Sequence, residues 1–209
     1  MPSLTPVFAS SLQALEGERT IPLSRITGFL SSLKDQEILI LVDDNDNQIG
    51  TDTRENCHAG KGKRHRAYTA LLFHDGKMLL QQRSRKKLLW PGAWDVSFTS
   101  HVYPGETYQQ AASRRALQEL NARVGELADV HSFVYFAPQG PNAENEFCRV
   151  LVGDFDGKIK PNHDEMMSVR WATIREVKAD LATHPEAYTP WFRLTFEGFL
   201  KSPVFRKYA

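Results

Sequence analysis

The sequence predicts an α+β fold in which a few helices pack on a mixed sheet. Predicted strands outnumber predicted helices, and the strands come in hairpin-like clusters instead of alternating with helices. The 209 residues are enough for one domain with a sizeable core plus a short extension. We therefore expect an N-terminal extension over residues 1–36 and one domain over residues 37–209.

The extension is predicted to contain a helix. Leu23, Ile26, Leu30 and Leu33 recur at helical spacing, and Pro22 suits a helix start. No basic residue precedes an apolar stretch near the N-terminus, so a signal peptide is not expected.

The domain is predicted to begin with strands. The first, Glu37 to Val42, ends in the acidic turn Asp43 to Asn47, which lacks the Gly and the distal Glu of a calcium loop. Strands at Tyr68 to Phe73 and Met78 to Gln82 form a hairpin around His74-Asp75-Gly76.

The second half adds strands and three helices. Gly105-Glu106-Thr107 opens a helix that runs to about Leu120. Its predicted buried stripe is Ala112, Ala116, Leu117 and Leu120. The remaining predicted strands are 94–99, 130–137, 146–155 and 169–172, and the remaining predicted helices are 173–181 and 190–200.

Composition excludes several classes of protein. Hydrophobic residues make up 41% of the chain and charged residues 24%, as in ordinary globular proteins. The formal net charge of +1 gives no field that would attract nucleic acid or a membrane surface. Two cysteines provide no disulfide framework, and no apolar run reaches the length of a membrane span. We expect a cytoplasmic protein with neither nucleic acid nor membrane as partner.

Glu144 and Glu146 are the strongest pointer to chemistry. Glutamates two apart on a strand point to the same face, where their charges repel unless a cation lies between them. His58, His65 and His101 could complete a metal shell with neutral imidazoles. Zinc, manganese and magnesium are all possible, although three imidazoles favour a transition metal.

Two further stretches point to a family. Ser100 to Glu106 leads into Arg114 to Leu120, a layout that resembles the Nudix box. The helix lacks most of the box glutamates, because Arg115 and Gln118 stand in their places and Glu119 remains.

That altered box resembles the type I isopentenyl-diphosphate isomerase branch of the Nudix superfamily, over roughly residues 38–200. Several other motifs agree with this branch in order: residues 44–50, 54–58, 65–67, 79–84, 90–94, 144–146 and 189–191. The resemblance implies a Nudix-like α/β/α sandwich with a mixed sheet.

The resemblance also implies the site. The family's divalent-metal ligands match His58, His65, His101, Glu144 and Glu146. The glutamate that helps to hold a magnesium ion on the substrate diphosphate matches Glu119. Basic residues that grip the diphosphate match Arg54, Arg83, Lys87 and Arg115, and aromatic residues that line the active site match Tyr135 and Trp191.

One position departs from the family. The isomerase exchanges protons through a metal-bound glutamate, matched by Glu146, and a cysteine, whose place is taken by Thr99. A threonine hydroxyl is a far weaker acid than a thiol.

Three functions therefore remain open for a protein whose partner is a small-molecule diphosphate. The first is isomerisation of isopentenyl and dimethylallyl diphosphate, and the second is Nudix-type hydrolysis of a nucleoside or prenyl diphosphate. Hydrolysis would place a magnesium ion between Glu106 and Glu119. The third is inactive diphosphate binding. The sequence leaves the oligomeric state open.

Overall fold

The computed structural model describes residues 37–209, a segment with nine strands and four α-helices. The strands are β1 (Ile38–Val42), β2 (Gln48–Thr53), β3 (His65–His74), β4 (Lys77–Arg83), β5 (Trp94–Asp95), β6 (Phe98–His101), β7 (Ala128–Gln139), β8 (Asn142–Asp154) and β9 (Met166–Thr173). The helices are α1 (Arg54–His58), α2 (Tyr108–Leu120), α3 (Ile174–Thr183) and α4 (Pro190–Lys201).

Strand β3 is the centre of the sheet. It pairs in parallel with β8 over nine residues, and antiparallel with β1, β4 and β6. Strand β7 extends the sheet as the hairpin partner of β8, and β9 pairs with β4. Because one pairing is parallel and the others are antiparallel, the sheet is mixed, as predicted.

The two faces of β3 carry separate cores, because side chains alternate along a strand. Tyr68, Ala70 and Leu72 pack in one buried cluster with the alanine face of α2. Leu71 and Phe73 pack in another with side chains of α3 and α4. Helices thus cover both faces, which confirms the predicted α/β/α sandwich.

Helix α2 forms where the sequence predicted it. Thr107 caps its first turn and Gln110 completes the capping box, while Asn121 ends it in the left-handed conformation. The predicted stripe was wrong at Leu117, which is 56% exposed. Ala111 takes its place in the core, because the face that contacts the sheet is rotated towards Ala111 and Glu119 and away from Leu117.

The prediction missed two elements near the site. Strand β2 has no buried residue, and its one large apolar side chain, Ile49, is exposed, so it carries no hydrophobic alternation. Helix α1 is a single turn, capped by Thr53. The predicted strand at Trp94 to Thr99 is divided, since β5 pairs with β4 and β6 pairs with β3.

The predicted extension and its helix lie outside the described residues. Among the helices of residues 37–209, none combines the length and the apolarity that crossing a bilayer would need.

Candidate active site

The sheet brings most of the predicted metal ligands together. His65 opens β3 and lies opposite Glu146 in the parallel pairing with β8. His101 ends β6, where it lies opposite Ala67, two residues further along β3. Side chains two apart share a face, so Glu144 projects beside Glu146.

Helix α1 supplies His58, the remaining imidazole. The turn from α1 to β3 passes close to β8 at Gly62, whose φ is +63°. A Cβ at this position would lie 3.1 Å from the Cys57 carbonyl oxygen and 3.2 Å from the Ala143 carbonyl oxygen. Gly62 thus permits both the left-handed backbone and the close approach that place His58 over Glu144.

The five side chains form a compact buried group. The three imidazole centroids are 4.8–5.3 Å apart. His58 Nε2 lies 3.0 Å from Glu144 Oε2, while His65 Nε2 and His101 Nε2 each lie 3.4 Å from Glu146 Oε1. One ligand atom from each of the histidines and one from Glu144 all lie within 4.8 Å of one another.

Backbone contacts direct these ligand atoms inward. His58 Nδ1 lies 2.7 Å from the Arg54 carbonyl oxygen and His65 Nδ1 lies 2.8 Å from the Lys63 carbonyl oxygen. A carbonyl can only accept, so each Nδ1 carries the hydrogen and each Nε2 of the neutral ring presents a lone pair. This arrangement is typical of histidine metal ligands.

The inner atoms then lack donors. With the hydrogen of each ring on Nδ1, the buried atoms His58 Nε2, His65 Nε2 and Glu144 Oε2 receive no hydrogen bond from any residue of 37–209. Acceptors face each other across the centre of the group, an arrangement that is unfavourable unless a proton or a cation lies between them. His58, His65, His101 and Glu144 therefore fit a divalent cation. Glu146 Oε1 lies beside His65 and His101, and its place as a fifth ligand stays a prediction.

The histidine pKa values differ with their neighbours. Burial lowers the pKa of His58, but the adjacent Glu144 carboxylate outweighs this and raises it overall. Burial and the two nearby imidazoles hold the pKa of His101 well below its ordinary value. His101 is consequently neutral, the form that binds a metal.

The other oxygen of Glu146 is bound to a phenol. Tyr135 lies across from Glu146 in the β7–β8 pairing, and its hydroxyl donates to Glu146 Oε2 at 2.6 Å. Burial, with the Glu146 charge beside it, raises the pKa of Tyr135 well above the usual value. The phenol is therefore a hydrogen-bond donor at neutral pH.

Trp191 forms the next part of the wall. Its ring centroid lies 6.0 Å from that of Tyr135, and its Nε1–H donates to Asp95 Oδ1 at 2.8 Å. Asp95 is fully buried and also accepts from the Thr189 hydroxyl at 3.1 Å and the Val96 N–H at 2.8 Å. The buried carboxylate fixes the orientation of the indole.

Thr99 faces the same cavity from β6. Its hydroxyl donates to the Tyr68 carbonyl oxygen at 3.0 Å. The hydroxyl hydrogen is therefore bound to the backbone of the neighbouring strand, while the oxygen keeps lone pairs that can accept a hydrogen bond.

A cavity of about 310 Å³ joins these groups to the predicted anion-binding residues. Of the predicted site residues, ten line it: Arg54, Arg83, Lys87, Thr99, His101, Arg115, Tyr135, Glu144, Glu146 and Trp191. His58, His65 and Glu119 are buried and do not line it.

The cationic residues of the cavity differ in the protein groups that they already bind. Arg83 donates to the carbonyl oxygens of Trp90 and Leu89 and pairs with Asp95 at 3.2 Å, so it holds the adjacent loop. Lys87 and Arg115 each contact both Glu119 and Glu165.

Two carboxylates of the site were missed by sequence reasoning. Asp95 looked like part of a plain strand, and Glu165 looked like part of a loop. Glu165 lies beside the end of β4, because Met166 is opposite Arg83 in the β4–β9 pairing. Burial opposes ionisation of Glu165, but Arg115 and Lys87 hold its pKa below the usual value.

Glu106 has an arginine partner of its own. Its carboxylate pairs with Arg114 at 2.7 Å and accepts from the Tyr103 N–H at 3.0 Å. Glu165 is the carboxylate that shares Lys87 and Arg115 with Glu119. The Glu106–Glu119 magnesium pair that hydrolysis would use stays a prediction.

Comparison with known proteins agrees with this fold and site. A family model described as the NUDIX domain matches residues 63–192. The solved structure of DR0079 from Deinococcus radiodurans superposes with a TM-score of 0.63 at 27% identity, covering 78% of this chain and 99% of that one. A MutT protein from Methanosarcina mazei has a TM-score of 0.51 at 21% identity, covering 65% and 92%, and indicates the fold alone. The sheet, the flanking helices and the pocket are thus those of a Nudix-fold protein with a histidine and glutamate centre.

Curated relatives narrow the family. A protein of Klebsiella pneumoniae named isopentenyl-diphosphate Delta-isomerase is 34% identical over 165 residues, 78% of this chain and 90% of the relative. Proteins of the same name from Serratia proteamaculans and Nocardia farcinica are 39% and 37% identical, over 75% of this chain and 87% and 91% of theirs. The chain belongs to the isopentenyl-diphosphate Delta-isomerase family of the Nudix superfamily.

Proposed function

We propose that this protein is a metal-dependent isomerase that interconverts isopentenyl diphosphate and dimethylallyl diphosphate. The observation that carries the proposal is the buried group of three histidines and Glu144, with Glu146 beside two of the histidines, next to the cavity. Relatives that carry the isomerase name cover three quarters of the chain. The cytoplasmic location, and the absence of nucleic-acid and membrane partners, stay predictions.

The reaction adds one proton to the substrate and removes another, and the double bond moves by one position. The terminal alkene carbon gains a proton, which leaves a tertiary cation on the central alkene carbon. The methylene bonded to that central carbon then loses a proton, and the new double bond forms between these two carbons. Glu146 is the proposed residue for one of these transfers, because its carboxylate reaches the cavity and its Oε2 is bound by the Tyr135 hydroxyl. Tyr135 holds this oxygen in one position and stabilises its charged form.

Trp191 is proposed to stabilise the cationic state. Its indole lies in the cavity wall beside Tyr135, with its N–H turned away to Asp95. An aromatic face attracts positive charge through its quadrupole, at about 0.5–2 kcal/mol per contact.

The metal site is proposed to organise the acid. His58, His65, His101, Glu144 and Glu146 would hold a divalent ion of zinc, manganese or magnesium. When bound, it would neutralise the paired carboxylates and favour release of a proton at Glu146.

The opposite end of the cavity is proposed for the diphosphate. Lys87 and Arg115 carry charge-assisted donors for it, and Arg54 and Arg83 line the same cavity. Glu119 is proposed to help hold the magnesium ion that accompanies the diphosphate.

Because Thr99 stands at the position of the family's cysteine, no side chain of the family pattern is left to act as the second proton carrier. Its hydroxyl hydrogen is donated to Tyr68, and its oxygen can accept from a water molecule. We propose that Thr99 positions a water molecule that serves in place of the thiol.

Hydrolysis of a diphosphate is the second candidate, favoured by the same observation about Thr99. The cavity would then hold a nucleoside or prenyl diphosphate and would release phosphate. The two functions are separated by incubating the protein with isopentenyl diphosphate and a panel of nucleoside diphosphates in the presence of magnesium.

The isomerase proposal predicts dimethylallyl diphosphate and no phosphate, with activity lost in Glu146→Gln. Phosphate release that disappears in Glu119→Gln would instead support hydrolysis. Thr99→Cys provides a further test, because an isomerase scaffold limited by one functional group should gain at least tenfold in kcat. No gain would point to a pocket built for another substrate, and neither activity would leave a diphosphate binder.

A further inference from the structure

The turn before β9 places a carboxylate among the cations proposed for the diphosphate. Glu165 Oε2 contacts Lys87 Nζ, and it lies 2.7 Å from a terminal nitrogen of Arg115. The Lys87 and Arg115 side chains are only 17% and 15% exposed, and Glu165 lines the cavity together with them.

The backbone of Glu165 is held in place. Its N–H donates to the Asn162 carbonyl oxygen at 3.0 Å, and its carbonyl oxygen accepts from the Ser84 N–H at 3.0 Å. Asn162 is itself tied to the end of α2, because its N–H donates to the Glu119 carbonyl oxygen at 2.8 Å. Movement of Glu165 is therefore a rotation of its side chain, without a change in the turn.

The local charges cancel. Lys87 and Arg115 carry two positive charges, and Glu119 and Glu165 carry two negative charges at the same nitrogens. Within residues 37–209, Lys87 and Arg115 are both paired with carboxylates, so an incoming diphosphate meets a fully paired Lys87 and Arg115 until one carboxylate withdraws.

Glu165 is the carboxylate that can withdraw. The Glu119 side chain is 2% exposed and its second oxygen accepts from Gln81 at 3.4 Å. The Glu165 side chain is 28% exposed, which leaves it a path to solvent. Rotation of Glu165 would release one oxygen contact at each of Lys87 and Arg115.

We propose that Glu165 is an internal competitor of the substrate diphosphate, holding Lys87 and Arg115 in the ligand-free protein and lowering the affinity of the pocket until it is displaced. This inference rests on the proposed function, since it takes Lys87 and Arg115 as the diphosphate site. A ligand that binds only the displaced state has its affinity reduced by the fraction of molecules in that state. The effect falls on KM and not on kcat, because the same rotation precedes every binding event.

The test is calorimetric titration of the full-length protein with inorganic pyrophosphate at a fixed, saturating magnesium concentration. Glu165→Gln keeps the shape of the side chain and removes its charge. We expect its Kd for pyrophosphate to fall by about tenfold, which corresponds to about 1.4 kcal/mol, and its KM for isopentenyl diphosphate to fall in parallel.

Asp164→Asn is the matched control. Asp164 is the neighbouring residue and pairs with Lys86, but both side chains are more than 70% exposed. An exposed pair of this kind contributes little, so its Kd should stay within twofold of the wild-type value. Glu165→Asp keeps the charge but shortens the side chain, and should tighten binding by less than Glu165→Gln.

The proposal is overturned if both Glu165 variants bind pyrophosphate no more tightly than the wild type while their melting temperatures stay near the wild-type value. Weaker binding that recovers at higher magnesium concentration would mark Glu165 as a ligand of the magnesium ion and would equally overturn it. If the wild-type protein and the variants all fail to bind pyrophosphate, the result contradicts the proposed diphosphate site itself. The inference about Glu165 is then contradicted too, because it depends on that site.

Discussion

The Tyr135 hydroxyl and the Glu146 carboxylate meet at 2.6 Å, from directly opposite positions of the β7–β8 hairpin. Glu146 Oε1 lies 3.4 Å from both His65 and His101, so its two oxygens have different partners. One oxygen faces the histidines and the other is fixed by a phenol, so this glutamate connects the histidine group to the cavity.

Removing the phenol should lower activity without unfolding the protein. Tyr135→Phe keeps the ring and deletes the donor to Glu146, so we expect kcat for isomerisation to fall by about 10- to 100-fold. Tyr108→Phe is the control, because Tyr108 donates to Asp46, away from the cavity. Equal losses in the two variants would contradict a specific role for the Tyr135–Glu146 contact.

The histidine centre should bind one divalent ion per chain. We expect elemental analysis of the purified protein to find that ion in the wild type, and to find it depleted in His65→Gln. His74→Gln is the control, since the His74 side chain is half exposed and lies beside Asp75 and Trp171, away from the cavity. The melting temperature should fall on chelation in the wild type and stay unchanged in His65→Gln, because metal binding to the folded state adds stability.

Asp95 should give the stability curve a distinct pH dependence. Burial raises its pKa to about 6, against the opposing effects of Arg83 and of hydrogen bonds from Val96, Trp191 and Thr189. The unperturbed value is 3.8, so the folded state binds the extra proton between these two values. The stabilisation of the folded state by this proton is fully present below pH 3.8 and is lost as the pH rises through about 6.

The measurement is urea unfolding of the wild type and Asp95→Asn between pH 4 and pH 7. We expect the free energy of unfolding of the wild type, relative to the variant, to fall by up to about 3 kcal/mol across this range. A difference that stays constant with pH would mean that Asp95 keeps one protonation state throughout.

The turn between α1 and β3 allows a test of how the fold positions His58. Gly60 and Gly62 both have positive φ, but a Cβ meets nothing within 4 Å at Gly60 and meets two carbonyl oxygens at Gly62. Gly60→Ala should cost about 1–2 kcal/mol through its backbone alone. Gly62→Ala should cost more in thermal unfolding and should weaken metal binding as well, whereas equal costs would mean that the turn adjusts freely.

Much of the fold could be predicted because its signals are local. The capping residue Thr107 and the turn at Asp75-Gly76 are specified by neighbouring residues, and both elements form where expected. Strand β2 and helix α1 carry no such signal, since β2 is polar and α1 is one turn long.

The site was predictable only in part. The sequence gives the spacing of Glu144 and Glu146 on one strand, and the family pattern adds the histidines. Asp95 and Glu165 escape this reasoning, because their roles arise from contacts with Trp191 and Arg115, far along the chain. Such contacts depend on strand pairing and have no signature in the surrounding residues.

The central claim is that the Glu146 end of this cavity exchanges protons with a substrate carbon despite Thr99. Incubation with isopentenyl diphosphate and magnesium in deuterated water, followed by mass spectrometry of the recovered diphosphates, measures that exchange directly. We predict deuterium in the allylic product and in the recovered substrate, and none with Glu146→Gln. Recovery of unlabelled substrate, under conditions in which a cysteine-containing relative labels it fully, would contradict the claim.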